Sequence, residues 1–419
     1  MWNKLLFPLA GAALLCSSLA AQSDQPATPQ LPDGNGKEIV QAVCTRCHDL
    51  DRVVAAGFDH DGWQLMVNQM ISSGAPLKPD QVPVVVDYLA KALPEKPAPE
   101  AVIIPGPVET TIKEWTVPTP GSRPHDPFYA SDGSVWYTGN TSNLLGRFNP
   151  KTGEFKEYHT NIPHSGPHGL VEDKEGNIWF TANNSGYVGK LDPKTGHITE
   201  YKMPNPDAID PHTPLFDHNG ILFFSLQSAD MIGRLNPKTG DIKLVTVPTK
   251  KANPYGMVVD SKDTIFFDEF GSNKLGSIDP ATMEIREYPL PDKTSRPRRI
   301  AITKDDVIYY TDYSDGRLGR FDIKTGKITQ FDSPGGPKSK PYGITIVDGI
   351  VWYSESGTRP NTVVRFAPGT EKFQTWTIPS GGGVVRNMVH TPNGDLWMAC
   401  SGVNKIAEVR IRNSKPAGF

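Results

Sequence analysis

A repeat of 43 or 44 residues runs through most of this 419-residue chain and constrains its fold more than any other feature. Each copy is marked by a proline followed by a histidine, a tyrosine or an arginine, and a seventh copy has lost its proline. Four short strands in a unit of this length make one blade of a β-propeller. Seven copies therefore predict an all-β, seven-bladed β-propeller over residues 109–413. The markers are Pro124-His125, Pro167-His168, Pro211-His212, Pro254-Tyr255, Pro297-Arg298, Pro341-Tyr342 and Val385-Arg386.

The ends of the repeated region predict how the ring closes. Each copy has an aromatic strand such as 135–138, a glycine-rich hairpin such as 146–153, and a last strand such as 198–201. The segment 112–117 resembles only a last strand, whereas the seventh copy stops after its third strand near Ile411. We expect the N-terminal strand to complete the seventh blade, because closure leaves no sheet edge exposed.

A second motif lies ahead of the repeats, at Cys44-Thr45-Arg46-Cys47-His48. Cys-X-X-Cys-His is the attachment signature of c-type haem, in which two thiols bind the haem vinyl groups and the histidine is the proximal iron ligand. A redox dithiol would need a βαβ setting, and a zinc site would need a second cysteine pair. The sequence around the motif has neither, so one covalent haem c is the preferred interpretation.

Helical patterns surround this motif, over 36–43, 61–72 and 81–93. On the second helix Trp63, Met66, Val67 and Met70 recur at helical spacing and form an apolar face suited to a flat macrocycle. We predict Met70 as the distal iron ligand, with Met66 as the alternative, although methionines on apolar helix faces usually serve only packing. Residues 33–95 resemble class I cytochrome c domains, which implies a small all-α haem domain.

The remaining N-terminal segments predict export and a linker. Lys4, the apolar run 5–15 and the small residues of 18–20 are typical of a signal peptide over 1–21, so we expect a periplasmic or secreted protein. The proline-rich stretch 96–108 predicts an extended linker that packs on neither neighbour. A net charge of -3 gives no reason to expect nucleic-acid binding, and the chain after the leader has no apolar run long enough for a membrane span.

Polar side chains recur where each first strand starts and where each second strand ends. In a propeller these two places meet on one face, near the central channel. We predict that three histidines face carboxylates and arginines across this rim, which would suit a second metal or an anionic substrate. A structural role in loop hydrogen bonding is the alternative, and the lone Cys400 is expected to be an inert core residue. The candidates are His125, His168, His212, Arg298, Arg386, Glu269, Asp312 and Glu355.

The repeats resemble the virginiamycin B lyase family, seven-bladed propellers with Pro-His-Gly markers, aromatic strands and Gly-Arg hairpins. The resemblance implies magnesium-assisted opening of a cyclic depsipeptide by a sixth-blade histidine, a seventh-blade Glu-Pro-His sequence and a second-strand glutamate. This chain has Tyr342 and Val384-Val385-Arg386 at the two blade positions, and Ser401 near the expected glutamate. Losing the base and the metal ligands together argues against antibiotic lyase activity.

Three functions stay open at this point. The preferred one is electron transfer by the haem, coupled to a propeller that binds or oxidises a substrate or docks a redox protein. The alternatives are a lyase or hydrolase with a redox-sensing haem, and a propeller scaffold without catalysis. A redox partner protein or a small-molecule reductant is the expected partner.

Overall fold

The computed structural model describes residues 30–46, 50–72 and 75–413 of the chain. They form a small helical unit followed by a ring of seven four-stranded antiparallel sheets. The predicted leader 1–21 and the residues Cys47 and His48 lie outside the described residues. None of the described helices is long and apolar enough to cross a membrane.

The helical unit contains the three predicted helices within about one residue of their expected ends. A further short helix follows the cysteine motif. The indole Nε1 of Trp63 donates a hydrogen bond of 2.9 Å to the carbonyl of Leu93, which ties the third helix to the end of the fourth. The helices are α1 (Lys37–Cys44), α2 (Leu50–Ala55), α3 (His60–Ser72) and α4 (Gln81–Ala92).

The two inner strands of each blade carry the apolar core and point their ends at the central channel. Second strands are buried along almost their whole length, because each blade packs between its two neighbours. The first strands are β2 (Pro124–Tyr129), β6 (Pro167–Glu172), β10 (Pro211–Phe216), β14 (Pro254–Val259), β18 (Pro297–Ile302), β22 (Pro341–Val347) and β26 (Val385–His390). The second strands are β3 (Val135–Gly139), β7 (Ile178–Ala182), β11 (Leu222–Leu226), β15 (Ile265–Glu269), β19 (Val307–Asp312), β23 (Ile350–Glu355) and β27 (Leu396–Cys400).

The two outer strands complete the blades, and the seventh blade takes its outermost strand from the start of the propeller. β1 pairs antiparallel with β28 from Val108 opposite Asn413 to Thr116 opposite Lys405, which confirms the predicted closure. The third strands are β4 (Leu144–Phe148), β8 (Tyr187–Leu191), β12 (Met231–Leu235), β16 (Lys274–Ile278), β20 (Arg317–Asp322), β24 (Thr362–Ala367) and β28 (Lys405–Asn413). The fourth strands are β5 (Phe155–His159), β9 (Ile198–Lys202), β13 (Ile242–Thr246), β17 (Ile285–Pro289), β21 (Ile328–Asp332), β25 (Lys372–Thr377) and, for the seventh blade, β1 (Val108–Thr116).

The two glycines of the repeated hairpin have different roles. Gly189 lies in the middle of β8 against the ring of Phe180, where a Cβ atom would come within 2.2 Å of the ring. Gly153 lies in the turn after β4 with a φ of 78°, a conformation that glycine adopts without strain. One glycine of the hairpin motif is therefore required by the contact with an aromatic side chain, and the other by the turn.

The linker prediction is wrong in one respect. Residues 99–108 are extended, but they pack along the outside of the sixth blade instead of standing free. The backbone N–H of Arg359 donates to the carbonyl of Pro99 (2.9 Å), and Thr375 exchanges hydrogen bonds with Ile104 through its backbone N–H and its hydroxyl (3.0 and 2.7 Å). The exposed strand edge of β25 offers backbone partners that composition alone does not reveal.

Candidate functional site

The first candidate site is an apolar cavity of about 260 Å³ inside the helical unit. Its wall includes Cys44 at the end of α1 and, from α3, Trp63, Met66, Val67 and Met70. Protein interiors contain few voids larger than a water molecule, so this cavity is large for such a small unit. Both candidate methionines thus line the same cavity as the first motif cysteine.

The second candidate site is the start of the first strands, where seven side chains meet around the propeller axis. We call this set the axial ring. His125, His168 and His212 are buried and follow one another with tilted rings, whose centroids are 3.8 and 3.5 Å apart. Tyr255 continues this row, with its centroid 4.0 Å from that of His212. The axial ring consists of His125, His168, His212, Tyr255, Arg298, Tyr342 and Arg386.

Burial controls the charge of the three histidines. It lowers the pKa of His125 well below its usual range, and the positive charges of Arg386 and Arg123 act in the same direction. Burial is also the main cause of the lowered pKa values of His168 and His212. The three histidines are therefore neutral at pH 7, and each can accept or donate hydrogen bonds without adding charge.

Arginines supply the charge at the axis. Arg299, the residue after Arg298, donates from Nη2 to both carboxylate oxygens of Asp126 at 2.7 and 2.9 Å. Arg298 lies over the ring faces of Tyr342 and Tyr313, with centroid distances of 4.0 and 4.3 Å. The first contact is a buried ion pair and the second is a cation–π arrangement, so each of these two arginines has an internal partner.

The predicted carboxylates do not face the histidines. Glu355 accepts hydrogen bonds from the hydroxyl of Ser333, in the connection from the fifth blade, and from that of Thr362 in its own blade, at 2.6 and 2.7 Å. Asp312 accepts from the backbone N–H of Arg296 at 2.9 Å, and Glu269 accepts from the hydroxyl of Ser272 at 2.6 Å. None of these hydrogen bonds is with a histidine of the axial ring, so the structure does not join the predicted carboxylates to the predicted histidines.

The side chains that are hydrogen-bonded to the backbone at or next to the axial-ring residues lie one position earlier on the second strands. The hydroxyl of Thr181 accepts from the backbone N–H of Gly169 at 3.0 Å and also donates to the carbonyl of His212 in the next blade. Thr138, Ser225, Thr311 and Ser354 make the same bridge between other blades.

Asp268 stands at the corresponding position of the fourth blade. It is fully buried, and burial raises its pKa well above the usual range. Its Oδ2 accepts from the backbone N–H of Gly256 at 3.2 Å, and Oδ1 has no hydrogen-bond partner among the described residues. Comparing the repeats position by position reveals this residue, because the equivalent positions described above carry a threonine or a serine.

A possible metal set also lies in the axial ring, since the ligand atoms of His125, Asp126 and His168 are within 4.8 Å of one another. Both oxygens of Asp126 are already bound by Arg299, however, and the surrounding guanidinium groups oppose the approach of a second cation. The charges at this place therefore favour an anion over a metal ion.

Cys400 ends β27 in the core of the seventh blade and is fully buried. Burial raises the pKa of its thiol, with a smaller contribution from Glu114. A protonated, inaccessible thiol is a poor nucleophile and a poor metal ligand, which supports the predicted packing role.

Comparison with known proteins agrees with the propeller. A structure described as streptogramin B lyase has a TM-score of 0.67 and 26% identity, over 72% of this chain and 98% of that one. A selenomethionine-substituted virginiamycin B lyase from Staphylococcus aureus has a TM-score of 0.66 and 25% identity, over 72% and 99%. A catalytically inactive histidine-to-alanine variant of the Staphylococcus aureus enzyme, in complex with quinupristin, gives 0.65 and 25% over the same shares.

No curated protein matches the chain. The helical unit falls outside the residues that match a protein family, which are 105–353 and lie within the propeller and the end of the linker. These residues match the model of the virginiamycin B lyase family, and the match spans more than half of the chain. By this match and by its seven-bladed architecture, the chain belongs to the virginiamycin B lyase family.

Proposed function

We propose that this protein is a periplasmic or secreted mono-haem c-type cytochrome whose propeller binds a substrate or a redox partner. The observation that carries the proposal is the apolar cavity with Cys44 in its wall, since Cys44 begins the Cys-X-X-Cys-His motif. The motif supplies two thiols and a histidine, and the cavity supplies an apolar surface formed by side chains of all four described helices. Two independent features, one of sequence and one of shape, thus point to the same cofactor.

The residues of the cavity fit a haem by their chemistry. Cys44 and Cys47 would hold it through thioether bonds, His48 would be the proximal ligand, and Met70 would be the distal ligand, with Met66 as the alternative. A haem bound in this way would accept and release one electron at a time. The apolar side chains of Trp63 and its neighbours would exclude water, and a thioether ligand would raise the reduction potential.

The test is the visible spectrum of the full chain made in a periplasm with a working haem-maturation system. We expect a c-type spectrum and haem that stays with the protein after denaturation. Replacing both Cys44 and Cys47 by serine should abolish it, whereas Cys400→Ser is the matched cysteine control and should leave it intact. A colourless protein, or absorbance that survives the double replacement, would refute the haem proposal.

The distal ligand has its own test. Met70→Ala should remove the charge-transfer band of methionine-ligated ferric haem and lower the reduction potential, whereas Met66→Ala should keep both. The opposite result would assign the ligand to Met66. Haem that is methionine-ligated in both variants would contradict either assignment.

A carbon–oxygen lyase is the second candidate function, and membership in the lyase family favours it. The residues at the positions that match the catalytic residues of the family argue against this function. Tyr342 is fully buried, and its hydroxyl is hydrogen-bonded to that of Tyr255 at 2.5 Å, while Arg386 brings a positive charge that repels a metal ion. We expect the chain not to open a cyclic depsipeptide in the presence of magnesium. Turnover that is lost on replacing Tyr342 by phenylalanine would establish the lyase instead.

A further inference from the structure

The propeller axis carries more positive charge than its own residues balance. Four guanidinium groups, those of Arg123, Arg298, Arg299 and Arg386, contribute to the electrostatics of the buried His125. Asp126 pairs with Arg299, and aromatic rings cover Arg298. Among the described residues neither Arg123 nor Arg386 has an ion pair with a carboxylate.

Several polar atoms at the same place also lack a partner. Nη1 of Arg123, Nε of Arg386 and Nδ1 of His168 are buried and have no hydrogen-bond partner within the described part of the chain. Arg123 and His168 are only 6% and 5% exposed, so bulk water does not replace the missing partners. Burying a charge without a partner is costly, and a bound ion is one of the ways in which folded proteins supply the missing partner.

The two unpaired arginines act on each other. Burial lowers the pKa of Arg123 well below its usual range, and the charge of Arg386 lowers it further. Arginine nevertheless stays protonated in proteins, so Arg123 and Arg386 together place two positive charges at the propeller axis. Arg386 is partly exposed, so solvent and small solutes reach its side chain.

We propose that Arg123 and Arg386, together with His168, form a binding site for a small oxyanion, either a carboxylate or a phosphate. Guanidinium groups bind both anions through paired N–H donors, and a neutral histidine can add a further donor. The inference rests on the propeller alone and does not depend on the haem. The ligand of the propeller would accordingly carry a carboxylate or a phosphate group.

The test compares oxyanions with chloride at constant ionic strength and pH 7.5, on the full chain. Sodium phosphate and sodium succinate are the two probes, with sodium chloride as the reference and magnesium chloride as the metal probe. We expect one or both oxyanions to raise the melting temperature and to give saturable binding in calorimetry. Whichever probe acts identifies the anion as phosphate or carboxylate. No rise above the chloride reference, or a rise with magnesium alone, would overturn the proposal.

Variants locate the effect. Arg123→Gln and Arg386→Gln should each weaken oxyanion binding at least about tenfold, because each removes a charge-assisted contact. Arg317→Gln is the matched control, since Arg317 pairs with Asp292 on an outer strand at 3.0 Å, and it should bind as the unchanged protein does. Unaltered binding by both axial variants would refute the assignment.

The melting temperatures of the variants without an added oxyanion distinguish a binding role of Arg386 from a structural one. If Arg386 is an uncompensated cation, Arg386→Gln should leave the melting temperature in chloride unchanged or raise it. A protein that melts at lower temperature and still binds the oxyanion would show that the arginine is structural. The haem spectrum should be the same in these variants, so failure of this proposal is distinguishable from failure of the cytochrome proposal.

Discussion

The Asp126–Arg299 ion pair offers a sharp test of how the propeller axis is built. Both side chains are about 95% buried, and Arg299 reaches both oxygens of the carboxylate. Asp126→Asn keeps the shape but removes the charge, and it leaves a buried guanidinium among other arginines. Removing one partner of a buried pair costs about 3–5 kcal/mol, much more than the pair contributes net.

The size of the effect in melting temperature follows from the size of the propeller. At about 2.1 cal/mol/K per residue, a domain of about 300 residues unfolds with an entropy near 0.6 kcal/mol/K. A loss of about 3–5 kcal/mol therefore lowers the melting temperature by about 5–8 °C. Circular dichroism of the strand signal during heating, repeated in urea, measures both quantities on the same protein.

An exposed pair is the natural control for this experiment. Asp332 contacts Arg317 at 3.2 Å, but its side chain is largely exposed, so Asp332→Asn should cost no more than about 1 kcal/mol. In Asp126→Asn, Arg299 also becomes available to an added oxyanion, which should bind more tightly than to the unchanged protein. A melting temperature within about 1 °C of the unchanged protein would refute the view that Arg299 depends on Asp126 for its charge balance.

Three further predictions concern the blades. Burial raises the pKa of Glu269 to about 7, so its ionisation above that pH destabilises the fold. Glu269→Gln should therefore stabilise the protein by about 1–2 kcal/mol at pH 8 and by little at pH 4.5, as urea titrations at both pH values would show. Gly189→Ala should cost about 1–3 kcal/mol in the same assay because its methyl group meets Phe180, and an unchanged midpoint would contradict that contact. Thr181→Val should cost about 1–3 kcal/mol by leaving the bridge to the next blade unpaired, and hydrogen exchange should rise there first.

The propeller fold was predictable because the same sequence pattern recurs in each blade. A marker every 43 or 44 residues fixes the number of blades, and the unequal ends of the repeated region fix how the ring closes. Three of the four described helices of the first unit were predictable within about one residue from apolar spacing, whereas the short helix Leu50–Ala55 was not predicted. Periodic patterns of this kind depend on local rules that single residues rarely override.

The candidate site was predictable only in part, because side-chain direction depends on details of register. In each blade the pairing of the first two strands shifts after the marker residue, as between Pro124 and Pro127. After the shift, Thr138 bonds the backbone of Asp126 beside the marker, whereas Glu269 is paired with Pro254 and bonded to Ser272. Arg123 and Asp126 flank the marker and enter the site only once this local geometry is known.

Asp268 stands where a threonine or a serine bridges other blades, but only its Oδ2 has a hydrogen-bond partner, so half of that bridge is formed here. In the neighbouring blades a hydroxyl accepts one hydrogen bond and donates another, which links a blade to the next. A carboxylate can only accept, but a protonated carboxyl group can do both. Burial raises the pKa of Asp268 in the direction that keeps it protonated. Among the described residues, Asp126 is the carboxylate that pairs with an arginine at the axis, Arg299, and the positive charge of Arg123 and Arg386 remains available for an external anion.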